Sequence, residues 1–405
     1  MDRHELDRRR LQIILILGVL SALGPLSIDM YLPAFAAIGA DFGVAVDRVE
    51  LSLASYFLGL SLGQIFYGTL TDRYGRKKPL YAGLAIYVIA AAGCALARSI
   101  DQLIVLRFLQ ALGACAGAVI SRAVVRDLFG HRESARIFSA LLLVMGIAPI
   151  VAPLAGGFLV KYAAWPVIFW ICAGFAALTL IALGMFLPES KAADPSVEFS
   201  RAFHVYAGIF RDREFLRNAL AGGFAQAAMF AYITASPNVF INVFGVAEQN
   251  FGWLFGANAA GLILCAQINS RLTRSFRPDQ ILRVSISMIA VLGVVLVAVS
   301  LWGGGLWLTW APLFLFISTL GVTFPNSTAD ALASQGVRAG SASALIGTIQ
   351  FVLAAMASGM VSAFHEASAF PMAVTMATCG MASALIYFGL EKKTWPEAPT
   401  ATSLS

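Results

Sequence analysis

Three charged features sit where an apolar chain has least use for them. Asp29, in Ile28-Asp29-Met30-Tyr31-Leu32-Pro33, lies inside an apolar run that starts at Leu11. A carboxylate is expensive to keep there, and the chemistry it offers is uptake and release of a proton. Arg107, in Leu103-x-x-x-Arg107-x-x-Gln110-x-x-Gly113-x-x-x-Gly117, is a cation in a similar setting. Burial favours a neutral carboxyl and a nearby guanidinium favours a charged one, so a site pulled both ways can load and unload a proton. The third feature is the turn Gly68-Thr-Leu-Thr-Asp72-Arg73-Tyr-Gly75-Arg76-Lys77-Lys78, one carboxylate and four cations between two apolar runs. Asp72 stands at a helix C-terminus, where the dipole disfavours it, so it needs compensation. Arg73, Arg76, Arg122 and Arg126 are the candidate partners. Gly68, one turn before Asp72, would let a second helix approach closely.

The elements that must hold these groups follow from composition. Of 405 residues, 59% are hydrophobic and 12% charged, and the mean hydropathy is +0.80. Such a chain cannot cover a soluble surface, so its solvent is largely lipid. Twelve runs of about 20 apolar residues, from 11–34 to 370–390, read as membrane-spanning helices. The fold expected is an all-α membrane protein of twelve transmembrane helices in two six-helix bundles. Residues 1–187 form the first bundle, 188–215 a cytoplasmic linker, 216–391 the second bundle and 392–405 a cytoplasmic tail. The run after Arg8-Arg9-Arg10 continues to Ala34 with no small-residue cleavage site, so it reads as a first span rather than a removed signal.

Of the 28 Lys and Arg, all but Arg48, Arg98, Lys161 and the in-span Arg107 fall on the side of the termini. That bias places both termini in the cytoplasm. About 27 Å of helix separates Leu11 from Asp29, and about 9 Å separates Asp101 from Arg107 on the opposite side. The two therefore reach a similar depth. The five cysteines and four histidines are scattered singly, with no metal-ligand spacing and no disulfide framework. No phosphate-binding G-x-x-x-x-G-K-[ST] and no basic stripe interleaved with aromatics is present, so neither nucleotide nor nucleic acid is expected.

The halves echo one another: Arg271-Leu-Thr-Arg274-Ser-Phe-Arg277 lies about half a chain after the Asp72 turn, without its Asp and Gly. The fifth run carries Gly146-Ile-Ala-Pro149-Ile-Val-Ala152-Pro153-Leu-Ala-Gly156-Gly157. Its prolines remove backbone donors and bend the helix, and its glycines permit tight packing. Polar or aromatic positions inside runs are candidate pocket residues. They are Tyr31, Tyr56 and Gln110 in the first half, and Phe230, Tyr232, Asn258, Gln350 and Phe351 in the second. An apolar cavity with a few convergent polar groups suits structurally varied amphipathic ligands. No acidic residue lies deep in the last six runs, which places coupling in the first half.

The spacing Gly-x-x-x-Asp-Arg-x-Gly-Arg-Lys resembles the cytoplasmic signature of the major facilitator superfamily, and the Arg107 run resembles its span-four motif. The fifth run is similar to the antiporter pattern G-x-x-x-G-P-x-x-G-G, departing from it at Ile150 and Ala152. With Leu26-Ser-Ile-Asp29-Met-Tyr31-Leu-Pro33, these features resemble the bicyclomycin and chloramphenicol resistance branch of bacterial drug/proton antiporters. The resemblance implies proton-driven efflux of small drug-like molecules from a monomer in the inner membrane, with no cofactor beyond the proton gradient. It implies a substrate site between the bundles and a role for Arg107 in proton coupling. It also implies a cytoplasmic latch of Gly68, Asp72, Arg73, Gly75, Arg76 and Arg126, with Asp72 facing the start of span eleven near Gly340-Ser341. Export of a physiological metabolite, such as the amino acid cysteine, stays open as an alternative. A membrane enzyme would need a nucleophile–base pair or metal cluster, and none is visible.

Overall fold

The computed structural model describes residues 3–197, 199–364 and 368–390, and every regular element there is helical. The first half runs α1 (Arg3–Asp29), α2 (Phe35–Phe42), α3 (Val46–Tyr74), α4 (Lys77–Ala95), α5 (Ile100–Leu128), α6 (His131–Tyr162) and α7 (Pro166–Phe186). A linker helix, α8 (Phe199–Phe210), follows. The second half runs α9 (Arg213–Pro237), α10 (Glu248–Leu272), α11 (Pro278–Leu301), α12 (Leu306–Ala333), α13 (Ala339–Ser362) and α14 (Phe370–Gly389). The tail assigned to 392–405 lies outside the described residues.

Among the described residues, eleven helical segments are long and apolar enough to cross a membrane. The twelfth span of the sequence reading is α9, which falls short because it carries Gln226, Tyr232, Thr234 and Ser236. It can do without a lipid-compatible surface, because residues 230–237 are all buried in protein. Elsewhere the outward faces are apolar, as at Ile89, Leu178, Val284 and Leu385, which fits a hydrocarbon solvent.

In the first half α1 packs on α5, α6 and α7, α5 packs on α3 and α4, and α4 packs on α7. In the second α9 packs on α12, α13 and α14, α12 packs on α10 and α11, and α11 packs on α14. One pattern serves both, with α1 matched to α9, α3 to α10 and so on in order. This is a parallel repeat of two six-span bundles. The halves meet chiefly through α3 on α13 and α6 on α10, a pair of contacts that the same matching exchanges.

Two matched spans are broken near the same end. Pro33 has no N–H to return to the carbonyl of Asp29, so α1 stops there and a 3-10 turn, Leu32–Ala34, leads into α2. Beyond Pro237, α9 widens into a π-helical stretch, Asn238–Val243. Such stretches are rare and cluster at functional positions. The broken end is called below the Glu50 end, and the opposite one the Asp72 end.

The linker is more ordered than its polarity implies. It forms α8, whose Tyr206 and Ile209 are buried, and the Tyr206 hydroxyl donates to the Ile65 carbonyl at 3.4 Å. Asp212 then caps α9, accepting from the Glu214 and Phe215 amides at 3.0 and 3.2 Å. Its other oxygen accepts from Ser334 and Gln335 at 2.9 and 2.7 Å, tying the start of α9 to the end of α12.

Candidate functional site

Asp29 is the last residue of α1 and is 4% exposed. The 3-10 turn just beyond it touches α6 of its own half and both α9 and α10 of the other. Its surroundings on the far half are Tyr232 and Asn258. The Tyr232 hydroxyl accepts from Asn258 Nδ2 at 2.9 Å, and Tyr232 lies within electrostatic reach of Asp29. That leaves the phenolic proton free to donate and Asn258 Oδ1 buried without a partner.

Arg107 is fully buried but does not pair with Asp29: no ion pair among the described residues joins them. The similar depth read from helix length does not fix the direction in which each side chain points. Instead the guanidinium lies over the rings of Tyr56 and Tyr31, 4.2 and 4.6 Å from their centroids, with Phe169 at 5.7 Å. Nη1 donates to Gln110 Oε1 at 2.7 Å, while Nε and Nη2 have no hydrogen-bond partner among the described residues. Desolvated cation–π contacts are worth roughly 2 kcal/mol each or more. They offset part of the cost of a buried charge, so the first bundle holds a fixed cation inside an aromatic cage.

Tyr31, Tyr56 and Gln110, expected to line a pocket, are thus the walls of that cage, and Tyr31 is further held by Ser52 at 2.8 Å. Phe230 and Phe351 lie elsewhere, at the seam between halves. Phe230 contacts Phe57 of α3 at 4.3 Å and Phe351 of α13 at 5.8 Å between centroids. Gln350, on the same helix as Phe351, is half-buried. The structure therefore splits the expected pocket into a first-half cage, an Asp29–Tyr232–Asn258 group and an aromatic seam.

The fifth-run glycines mark close approaches. A Cβ at Gly156 would overlap the Met30 carbonyl oxygen, next in chain to Asp29. At Gly157 it would come within 2.7 Å of the Glu248 carbonyl oxygen, at the start of α10 in the other half. Gly146 faces Ile263 of α10, with 3.3 Å available. Pro149 and Pro153 both lie inside the continuous helix α6. The halves touch along α6 and α10 from mid-helix to the Glu50 end, so that end is closed.

The Asp72 turn departs from the expected latch. Asp72 accepts from Arg76 at 3.1 Å and from Lys191 at 2.8 Å. Arg76 also donates from Nε to Asp127 at 2.8 Å. Burial pushes the Arg76 guanidinium down, but Asp127 and Asp72 outweigh it and hold it above the usual arginine value. Glu189 accepts from the amides of Arg76 at 2.7 Å and Lys77 at 3.2 Å, a carboxylate on the N-terminus of α4. Gly75 reaches this arrangement at φ 79°, and a Cβ there would sit 3.1 Å from the Glu189 carboxyl. Arg73 donates to the Val197 carbonyl at 3.2 Å.

Three expectations are corrected here. Gly68 is not a point of close approach, since a Cβ there meets nothing within 4 Å. Arg126 is exposed and is not a partner of Asp72. The partners of Asp72 come from its own half and the linker rather than from Gly340-Ser341. With the Glu50 end closed, the turn is bound to the segment after α7 instead of to α13.

The sequence reading passes over Asp127, Glu189 and Lys191, because partners brought together from distant segments leave no local spacing. It also passes over Glu50, 2% exposed in the second turn of α3. Neighbouring Asp47 and Arg48 give that stretch the look of a solvated rim.

The family profile described as the Major Facilitator Superfamily matches residues 17–359. The chain belongs to that superfamily. It is 35% identical to an uncharacterized MFS-type transporter of Bacillus subtilis (strain 168), YdgK, covering 97% of this chain and 98% of that protein. It is 30% identical to a bicyclomycin resistance protein homolog of Haemophilus influenzae, covering 94% and 96%. A D-xylose-proton symporter crystal structure shares the fold, with a TM-score of 0.72 at 13% identity over 94% of this chain and 97% of that one. The protein is a multi-pass inner-membrane transporter and not an enzyme.

Proposed function

We propose that this transporter expels small drug-like molecules, of the chloramphenicol and bicyclomycin type, in exchange for protons, with Asp29 as the proton carrier. The observation that carries the reading is the position of Asp29. It is a buried carboxylate with no ion-pair partner among the described residues, at a helix break whose following turn touches both halves. A carboxylate without a cation is least costly to bury with a proton on it, and it can lose that proton once water reaches it. Alternating exposure of one site to two sides provides that water by turns. The relative named for bicyclomycin resistance supports the drug class.

Arg107 contributes a fixed positive field from inside its cage rather than a partner for the carboxylate. The Lys and Arg bias puts the Asp72 end in the cytoplasm. Closure of the Glu50 end then corresponds to a chain shut toward the outside. A zwitterionic substrate such as cysteine would need opposite charges side by side at the site. The rings around Arg107 withhold one of them, which argues against the amino-acid alternative.

The test is transport in everted vesicles with a pH-sensitive dye, screening chloramphenicol, bicyclomycin and cysteine. Asp29→Asn should abolish drug-driven proton movement while the purified protein keeps its thermal midpoint. Undiminished coupling in that variant would remove Asp29 from the mechanism.

A further inference from the structure

At the Glu50 end a cavity of about 290 Å³ lies between the halves. Its walls include Val46, Asp47 and Glu50 from α3, Asn238 and Asn242 from the π-helical stretch, and Met372 from α14. Glu50 is the buried carboxylate of this cavity, on the half opposite α13 and α14. We propose that Glu50 is a second proton-binding site, separate from Asp29, whose occupancy governs closure of this end. The proposal rests on the alternating exchange described above.

Three observations converge on it. First, among the described residues no cation is placed to neutralise Glu50. On its own helix Arg48 pairs with Asp101 at 2.9 Å, and Asp47 accepts from the Arg48 amide. Asp41 of the neighbouring α2 accepts from Trp165 at 3.0 Å. The π-helical stretch presents amides, with Asn242 donating to Asn238 at 3.0 Å. The facing ends of α13 and α14 present Val361, Ser362, Pro371 and Met372. His365 and Glu366, between α13 and α14, lie outside the described residues.

Second, the Ser362 hydroxyl of α13 faces the Glu50 carboxyl. When its proton is turned to the Ser358 carbonyl, 3.0 Å away, its oxygen is left to accept. A carboxylate can only accept as well; a carboxylic acid can donate. With the hydroxyl turned to Ser358, the two groups are complementary across the halves when Glu50 carries a proton. Third, the contact lies where α3 and α13 join the bundles, so parting this end separates the pair and wets the carboxyl.

The step is a simple proton transfer. A water-borne proton adds to a Glu50 oxygen, the acid donates to Ser362 Oγ, and the end shuts. When the halves part, the proton returns to water and the carboxylate is left hydrated. Acidity on that side therefore favours the closed form.

The experiment measures accessibility of the cavity in a cysteine-free full-length background carrying Val46→Cys and His365→Ala. A membrane-impermeant maleimide is added from the Glu50 side, and its rate is divided by that for Trp302→Cys, an exposed position between α11 and α12. The ratio removes the pH dependence of maleimide addition that the two thiols share. It should fall several-fold on acidification with Glu50 present. With Glu50→Gln the ratio should stay low at every pH, and with Glu50→Asp its pH dependence should persist at a displaced midpoint. Asp29→Asn should leave the response in place even where coupling is lost, which separates failure of this proposal from failure of the exchange reading. An unchanged pH response in Glu50→Gln, or a flat one in Glu50→Asp, overturns the assignment.

Discussion

Single side chains in this protein are held by partners that a reader of the sequence would not pair. Asp212 shows how that converts into stability. Burial pushes its carboxyl up, but the capped amides of Phe215 and Glu214, with Ser334 and Gln335, outweigh this and hold it below the usual range. A depressed folded value means the stabilisation is complete above the unfolded carboxylate value of about 3.9, and is lost as pH falls through the folded value. Asp212→Ala should cost roughly 1 kcal/mol at neutral pH through loss of the cap. It should also flatten the acid limb of thermal midpoint against pH, as read by scanning fluorimetry in detergent. An acid limb of unchanged slope would show that other carboxylates govern it. Asp29 and Arg107 were legible as residues because charge inside an apolar run is conspicuous. Their separation was not, because side-chain direction depends on how each helix is rotated in its bundle.

Helices were read well and their contacts poorly, for the same reason. Length and apolarity are local properties of a run, whereas which face meets a neighbour is decided by the whole bundle. Gly68 and Gly156 make the contrast concrete. Both sit in small-residue motifs, yet a side chain at Gly68 meets open space and one at Gly156 would overlap the Met30 carbonyl. Gly156→Ala should therefore cut transport at least tenfold or displace α1, while Gly68→Ala should leave transport within about twofold of the parent. Initial rates in vesicles, normalised to folded protein, check both. A damaging Gly68→Ala alongside a silent Gly156→Ala would invert the packing described. The break at Asp29 was legible only as Pro33, and the π-helical stretch after Pro237 left no signal beyond that proline.

The molecule as a whole is two copies of one bundle joined along two matched seams, and motion must open one end of those seams while closing the other. The α6–α10 seam can be tested directly. A Cβ at Gly256 would lie 3.8 Å from the Ile150 Cβ, a separation that suits a disulfide. Ile150→Cys combined with Gly256→Cys, in a background lacking the five native cysteines, should oxidise readily and arrest transport. A reductant should restore it, and either single variant should stay active; full transport by the cross-linked form would show that this seam need not part. The consecutive glycines on α6 carry the point further. Neighbouring residues on a helix point about 100° apart, so Gly156 rests on the chain beside Asp29 while Gly157 rests on the opposite half. One continuous helix thus touches both the carboxyl's support and the surface on the opposite half. Linkage then runs in both directions: whatever props the halves apart at that end changes the proton affinity of Asp29 by the same factor by which protonation changes the propping. On the proposed exchange, a substrate need not touch Asp29 to be traded for its proton.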